Sequence, residues 1–186
     1  GFYRFENVTP GEYDLREVVP DGFVPTFPTV SWADPITLDA GDRANSVTAG
    51  DLNYDGRADL VVTNREADTL FVFLNEGNGV FGVPVTIDVG DGPNGLAIGD
   101  FNNDGIVDMA TSNGNSFSVS VLFGNGDGTF QPFQEFLVDT RSDPNLSFPN
   151  SVNAADIDGD GDTDLAVADI TLSANSPDTI SVLLNN

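Results

Sequence analysis

Asp156-Ile-Asp158-Gly-Asp160-Gly161-Asp162-Thr-Asp164 is the stretch on which the reading of this chain turns. Its pattern, D-x-[DN]-x-D-G-x-x-D, returns in Asp51-Leu-Asn53-Tyr-Asp55-Gly56-Arg57-Ala-Asp59 and in Asp100-Phe-Asn102-Asn-Asp104-Gly105-Ile106-Val-Asp108. Oxygen-bearing side chains fall at positions 1, 3, 5 and 9 of each copy, and a glycine at position 6 lets the backbone reverse. Alternate residues of a tight loop can aim their oxygens at one point, as a hard cation such as Ca2+ requires. The position 7 carbonyl can add a ligand whatever its side chain, which lets Arg57, Ile106 and Asp162 share one slot. The candidate ligands are thus Asp51, Asn53, Asp55, Arg57 and Asp59; Asp100, Asn102, Asp104, Ile106 and Asp108; and Asp156, Asp158, Asp160, Asp162 and Asp164. About three Ca2+ ions are expected. A single acidic, glycine-containing cluster is usually just a solvated turn; three in one register are poorly explained that way.

Position 12 separates these loops from EF-hands, which place a bidentate Glu there. Here Val62, Thr111 and Val167 occupy it. Short apolar runs flank each loop, with Ser46-Val-Thr-Ala-Gly before and Leu60-Val-Val after the first, and similar runs around the others. Each loop is therefore expected to join two strands rather than two helices.

Composition narrows the function classes. A formal charge of -24 with only six Lys and Arg argues against nucleic-acid binding, since neutralising phosphates needs cations. Without Cys there are no disulfides or thiolate metal sites, and without His no imidazole acid–base chemistry. No run of eighteen apolar residues exists, so membrane insertion by a helix is not expected. Gly and Pro, at 20 and 11 residues, favour turns over helices.

Along the chain, residues 1–28 alternate apolar and polar side chains on both sides of Pro10-Gly11, a hairpin signal. The stretch from Gly1-Phe-Tyr-Arg-Phe to Pro20-Asp-Gly resembles the last two strands of B-type repeats of serine-aspartate surface adhesins and related prealbumin-like domains. That resemblance implies the end of an Ig-like stalk module, with Val8 where leucine is usual. Residues 29–32 read as a linker. From residue 33 the chain is periodic. Asn45-Ser, Asn94-Gly and Asn150-Ser precede the loops at one offset, and Leu70-Phe-Val-Phe-Leu, Val119-Ser-Val-Leu-Phe and Ile180-Ser-Val-Leu-Leu form matching third strands. Glu76-Gly-Asn-Gly-Val-Phe81 and Asn125-Gly-Asp-Gly-Thr-Phe130 are matching turns into a fourth. Four strands in roughly 50 residues is the unit of a propeller blade. Residues 139–148 and 171–177 read as insertions.

From 33 to 186 the chain resembles the FG-GAP/VCBS repeat proteins, whose blades build the propeller of integrin alpha subunits and many secreted bacterial proteins. The residues that carry this are Gly50-Asp-Leu-Asn-Tyr-Asp-Gly-Arg-Ala-Asp-Leu, Gly99-Asp-Phe-Asn-Asn-Asp-Gly-Ile-Val-Asp-Met and Ala155-Asp-Ile-Asp-Gly-Asp-Gly-Asp-Thr-Asp-Leu. Thr63-Asn-Arg, Ser112-Asn-Gly and Ala168-Asp-Ile stand where Gly-Ala-Pro is usual, which is closer to the bacterial VCBS variety. The resemblance implies an all-β fold: a partial β-propeller of about three four-stranded blades (about 45–89, 94–138 and 150–186), with Ca2+ loops between first and second strands. Residues 33–40 would be an outer strand of a preceding or closing blade. The whole looks excised from something longer.

The function expected is a non-catalytic Ca2+-binding propeller segment of a large secreted or cell-surface protein, probably bacterial, serving adhesion or ligand binding. The partner would be a protein or glycan at a surface, and open blade faces invite self-association. The alternative is a carbohydrate-binding module of a secreted glycan-degrading enzyme, which would use exposed aromatics such as Tyr54, Phe101 or Trp32. A hydrolase with paired carboxylates is a third reading, but no pair is singled out.

Overall fold

The computed structural model describes residues 33–138, 147–171 and 177–186. The hairpin expected at 1–28 and the linker at 29–32 lie outside the described residues. The chain divides into two compact units, Gly1–Pro35 and Ile36–Asn186, and the second carries every described strand.

Alternation of apolar residues, punctuated by glycine-rich turns, gives three antiparallel meanders. The first sheet comprises β1 (Ala44–Gly50), β2 (Asp59–Asn64), β3 (Thr69–Phe73) and, beyond a short ribbon of β4 (Asn75–Gly77) and β5 (Val80–Phe81), β6 (Val85–Asp88). In the second, β7 (Pro93–Gly99), β8 (Asp108–Asn113), β9 (Ser118–Leu122) and β10 (Gln134–Leu137) follow the same order. The third holds β11 (Ser147–Ala155), β12 (Asp164–Thr171) and β13 (Thr179–Leu183). No helix is present among the described residues. Two differences from expectation stand out. The third sheet has three strands rather than four among the described residues, and residues 33–40 form no strand.

The repeated asparagines have a structural reason. The register of the first hairpin in each sheet shifts between Ala44 and Val47, between Pro93 and Leu96, and between Pro149 and Ser151. These irregularities bracket Asn45, Asn94 and Asn150, and an irregularity of this kind bends a strand and frees a side chain to reach sideways. The Asn45 amide donates to the Asn94 carbonyl at 3.4 Å, and the Asn94 amide donates to the Pro149 carbonyl at 2.9 Å. A Cβ on Gly95 would lie 2.6 Å from Ser151 Cα and 2.7 Å from Val152 N, so only glycine lets β7 and β11 approach this closely. First strand next to first strand, with the sheets stacked face to face, is the arrangement of propeller blades.

The core lies between the sheets. Val61, Leu70 and Val72 of the first sheet meet Leu96, Met109 and Leu122 of the second, all buried. Ala97, Ala110, Val119 and Val121 on its other face meet Val152, Leu165 and Val167. Third strands of the first two sheets are thus covered on both sides. β13, with the same apolar pattern, is covered on one: Ile180 is 73% exposed and Val182 50%, whereas their counterparts Leu70 and Val72 are 0% exposed. Phe101 and Phe123, counterparts of Leu52 and Leu74, line an open apolar cavity of about 230 Å3 beside Leu183 and Leu184.

Burial sets the expected cost of truncation. Leu70→Ala should lower the stability of the chain by about 2–5 kcal/mol, because a closed interface leaves a cavity. Ile180→Ala should change it by no more than about 0.5 kcal/mol, as surface substitutions do. Urea unfolding followed by tryptophan-independent far-UV signal measures both, and equal losses would contradict the burial pattern.

Candidate metal centre

The three acidic loops connect β1 to β2, β7 to β8 and β11 to β12. Their backbone path follows from the residues. Position 6 has φ of 82°, 81° and 101° at Gly56, Gly105 and Gly161, a left-handed turn that glycine takes without strain. Position 4 is left-handed too, at Tyr54 (58°), Asn103 (57°) and Gly159 (86°).

Aspartate at position 1 fixes the turn by accepting backbone N–H groups. Asp51 takes those of Asp55 at 3.1 Å and Gly56 at 2.9 Å, and Asp100 takes Asp104 at 3.2 Å and Gly105 at 2.8 Å. Asp156 takes Gly159 at 2.7 Å and Gly161 at 3.2 Å. Position 5 accepts the N–H of position 7: Arg57 to Asp55 at 3.0 Å, Ile106 to Asp104 at 2.7 Å, Asp162 to Asp160 at 2.9 Å.

Position 9 behaves differently from the others. Asp59, Asp108 and Asp164 are all 0% exposed. One oxygen of each accepts the N–H of position 2: Leu52 at 2.9 Å, Phe101 at 2.9 Å and Ile157 at 2.8 Å. The other accepts an N–H just beyond the third strand: Asn75 at 2.7 Å, Gly124 at 2.8 Å and Asn185 at 2.8 Å. Each carboxylate thereby fastens the start of its loop to the exit of β3, β9 or β13. The sequence gave no sign of this second duty; the partners are a carboxylate and plain backbone, which carry no side-chain signature.

The same bonds titrate differently in the two settings. Burial raises the Asp108 carboxyl above its ordinary value, against the N–H groups of Gly124 and Phe101 and with help from Asp104 and Asp100. At Asp164 the Asn185 and Ile157 N–H groups prevail over burial and hold the carboxyl low. The second sheet has a neighbour on both faces and the third on one, which accounts for the weaker desolvation at Asp164.

Carboxylate oxygens of Asp156, Asp158 and Asp164 lie within 4.8 Å of one another, the one such grouping found among the described residues. All donors are hard oxygens, which suits Ca2+, Mg2+ or Mn2+ and not thiophilic metals. The crowding is visible at Asp158: the Asp160 N–H draws its carboxyl down, yet desolvation and the charges of Asp160, Asp164 and Asp156 leave it raised. Asp160 and Asp162 stand outside that group of three. In the first two loops position 3 is neutral, and the amides of Asn53 and Asn102 donate to Asp55 and Asp104 at 2.9 Å each. Arg57 also spends its side chain inside the first loop, donating to Asp55 and, at 2.6 Å, to the Asn75 carbonyl.

Of the aromatics considered for glycan contact, Phe101 is buried between the second and third sheets. Tyr54 is 50% exposed, but its hydroxyl is held by the second loop. Trp32 lies outside the described residues.

Meandering sheets stacked at their first strands, with an acidic loop between first and second strands, define a calcium-loop type of propeller repeat by pattern. The FG-GAP-like repeat family matches at residues 51–111 and 109–167, and the chain belongs to that family. No curated protein matches. Among solved structures, a chain of "Crystal structure of BBS1N in complex with ARL6DN, soaked with lead" is similar, with 16% identity and a TM-score of 0.47. The alignment covers 70% of this chain and 39% of that one, so this chain spans about two-fifths of its length.

The clasp can be separated from metal binding. In chelator, Asp59→Asn and Asp108→Asn should each cost about 1–3 kcal/mol, since an amide cannot accept both N–H groups of a buried pair. Asp55→Asn, on an exposed carboxylate, should cost under about 0.5 kcal/mol under the same conditions. Thermal unfolding in excess chelator is the measurement, and indistinguishable midpoints would rule the clasp out.

Proposed function

We propose that the chain is a non-catalytic, Ca2+-stabilised propeller segment of a secreted or cell-surface protein, serving adhesion or ligand binding. The observation that carries the reading is the third loop, where Asp156, Asp158 and Asp164 bring three carboxylate oxygens within 4.8 Å. Membership of the FG-GAP-like repeat family supports the remainder, since such repeats occur in extracellular proteins. Ca2+ bound there would be held by the carboxylates of positions 1, 3, 5 and 9 and the position 7 carbonyl. It would supply charge neutralisation to a chain of formal charge -24. The residues of the loops supply the shape: positions 1 and 5 bind N–H groups that keep the turn closed, and position 9 anchors it to the sheet. The first two loops, with Asn53 and Asn102 at position 3, would bind more weakly.

Extracellular sites bind Ca2+ with Kd on the order of 10^-4 to 10^-3 M. At roughly millimolar Ca2+ one such site contributes about 0.4–1.4 kcal/mol to stability. Asp158→Asn converts the third loop to the composition of the other two and gives the test two opposite signs. In Ca2+ the variant should melt lower than the parent chain. In chelator it should melt at the same temperature or higher, because a repelled carboxylate has been removed. A parent chain whose melting temperature ignores Ca2+ would overturn the metal reading.

The partner side of this proposal includes the chain itself. Ile170, Ile180, Val182 and Leu184 form an exposed apolar stripe where the first and second sheets have a neighbour. Repeat units of this kind bury their apolar strands against the next unit. Self-association should therefore be seen in sedimentation velocity at tens of micromolar, and Ile180→Ser with Val182→Thr should return the chain to a monomer. An unaltered distribution in the double variant would place association elsewhere.

A further inference from the structure

Position 4 of the acidic loops is free of any ligand duty in the D-x-[DN]-x-D-G-x-x-D pattern, yet its side chain does not stay within its own loop. The Tyr54 hydroxyl, in the first loop, donates to the Gly105 carbonyl at 2.7 Å and accepts the Val107 N–H at 2.8 Å in the second. These two residues flank Ile106, whose carbonyl is the backbone ligand offered by the second loop. Asn103, at position 4 of the second loop, donates to the Asp162 carboxylate of the third at 2.5 Å. Asp162 holds the same position 7 there. Gly159 is position 4 of the third loop and has no side chain, so the series stops.

Backbone geometry makes these links directional. Tyr54 and Asn103 take φ of 58° and 57°, a conformation unfavourable for side chains larger than hydrogen and most tolerated by Asn. A tyrosine kept there needs contacts that hold it, and the two hydrogen bonds to the next loop are such contacts.

We propose that Tyr54 is a positioning residue for the second loop and couples its cation occupancy to that of the first, with Asn103 playing the same part from the second loop to the third. The inference rests on the Ca2+ reading above. Closing the first loop around a cation fixes residues 53–55, and with them the Tyr54 ring; the hydroxyl then holds Gly105 and Val107 so that the Ile106 carbonyl is set before its cation arrives. Ordering already done for one site lowers the ordering left for the next, which is positive coupling between sites.

Each loop carries its own reporter, the amide of its position 6 glycine, because that N–H is bound to the position 1 carboxylate. Ca2+ titration of the 15N-labelled chain yields separate midpoints at Gly56, Gly105 and Gly161. Tyr54→Phe keeps the ring and removes the hydroxyl. It should raise the Gly105 midpoint about five-fold, the factor a net hydrogen bond carries, while Gly56 moves by less than about two-fold. Asp51→Asn, which disables the first loop, should weaken binding at Gly105 in the parent chain and have no such effect in Tyr54→Phe. A purely structural tyrosine would not produce that non-additivity. Should Tyr54→Phe fail to fold, Asn103→Ala read at Gly161 makes the same test. Ca2+-dependent shifts with additive effects would overturn the coupling alone. Glycine amides that do not respond to Ca2+ at all would overturn the metal reading and the coupling with it.

Discussion

A buried carboxylate accepting two backbone N–H groups recurs in each repeat, and the geometry of the acidic loops depends on it. Asp59, Asp108 and Asp164 lie at the point where loop, second strand and third-strand exit converge. A charged acceptor makes the stronger kind of hydrogen bond, and two of them offset the cost of removing the charge from water. The loop ahead of each aspartate is thereby set in place at both ends. Positions 1, 3 and 5 then need only arrange a short exposed arc, which local N–H bonds do.

Stacking imposes the second constraint. Strands β3 and β9 are apolar along both faces, a pattern that requires a sheet on each side. The bulge at each first strand, the glycine at residue 95 and the asparagine reaching to the next sheet let first strands approach at the centre. From there the sheets stand face to face. The acidic loops come to lie side by side as a consequence, close enough for a side chain of one to bond to the backbone of the next. Metal loops that look independent in sequence become neighbours in space through this packing alone.

The opposite titration of Asp108 and Asp164 expresses the same asymmetry. Their hydrogen bonds are alike in number and nearly alike in length, but the second sheet is flanked and the third is open on one face. Surroundings beyond the first contacts decide which form of the acid is favoured.

The sequence by itself determined the repeat, the strand–loop–strand order and the residue types at each loop position. Ligand-bearing loops and apolar strands have strict local spacing, and local spacing is what a sequence displays. It also marked Asn45, Asn94 and Asn150 as equivalent without revealing why. What those asparagines do is join neighbouring sheets, and partners some fifty residues away leave no trace in a local pattern. The double duty of position 9, the capture of Asp55 by Arg57 and the reach of Tyr54 into the second loop were equally hidden. The outer strand expected at 33–40 shows the reverse case, since Pro35-Ile-Thr-Leu matches Pro84-Val-Thr-Ile in sequence and yet forms no ladder. A strand exists only with a partner to accept its hydrogen bonds, and tertiary structure alone supplies or withholds that partner.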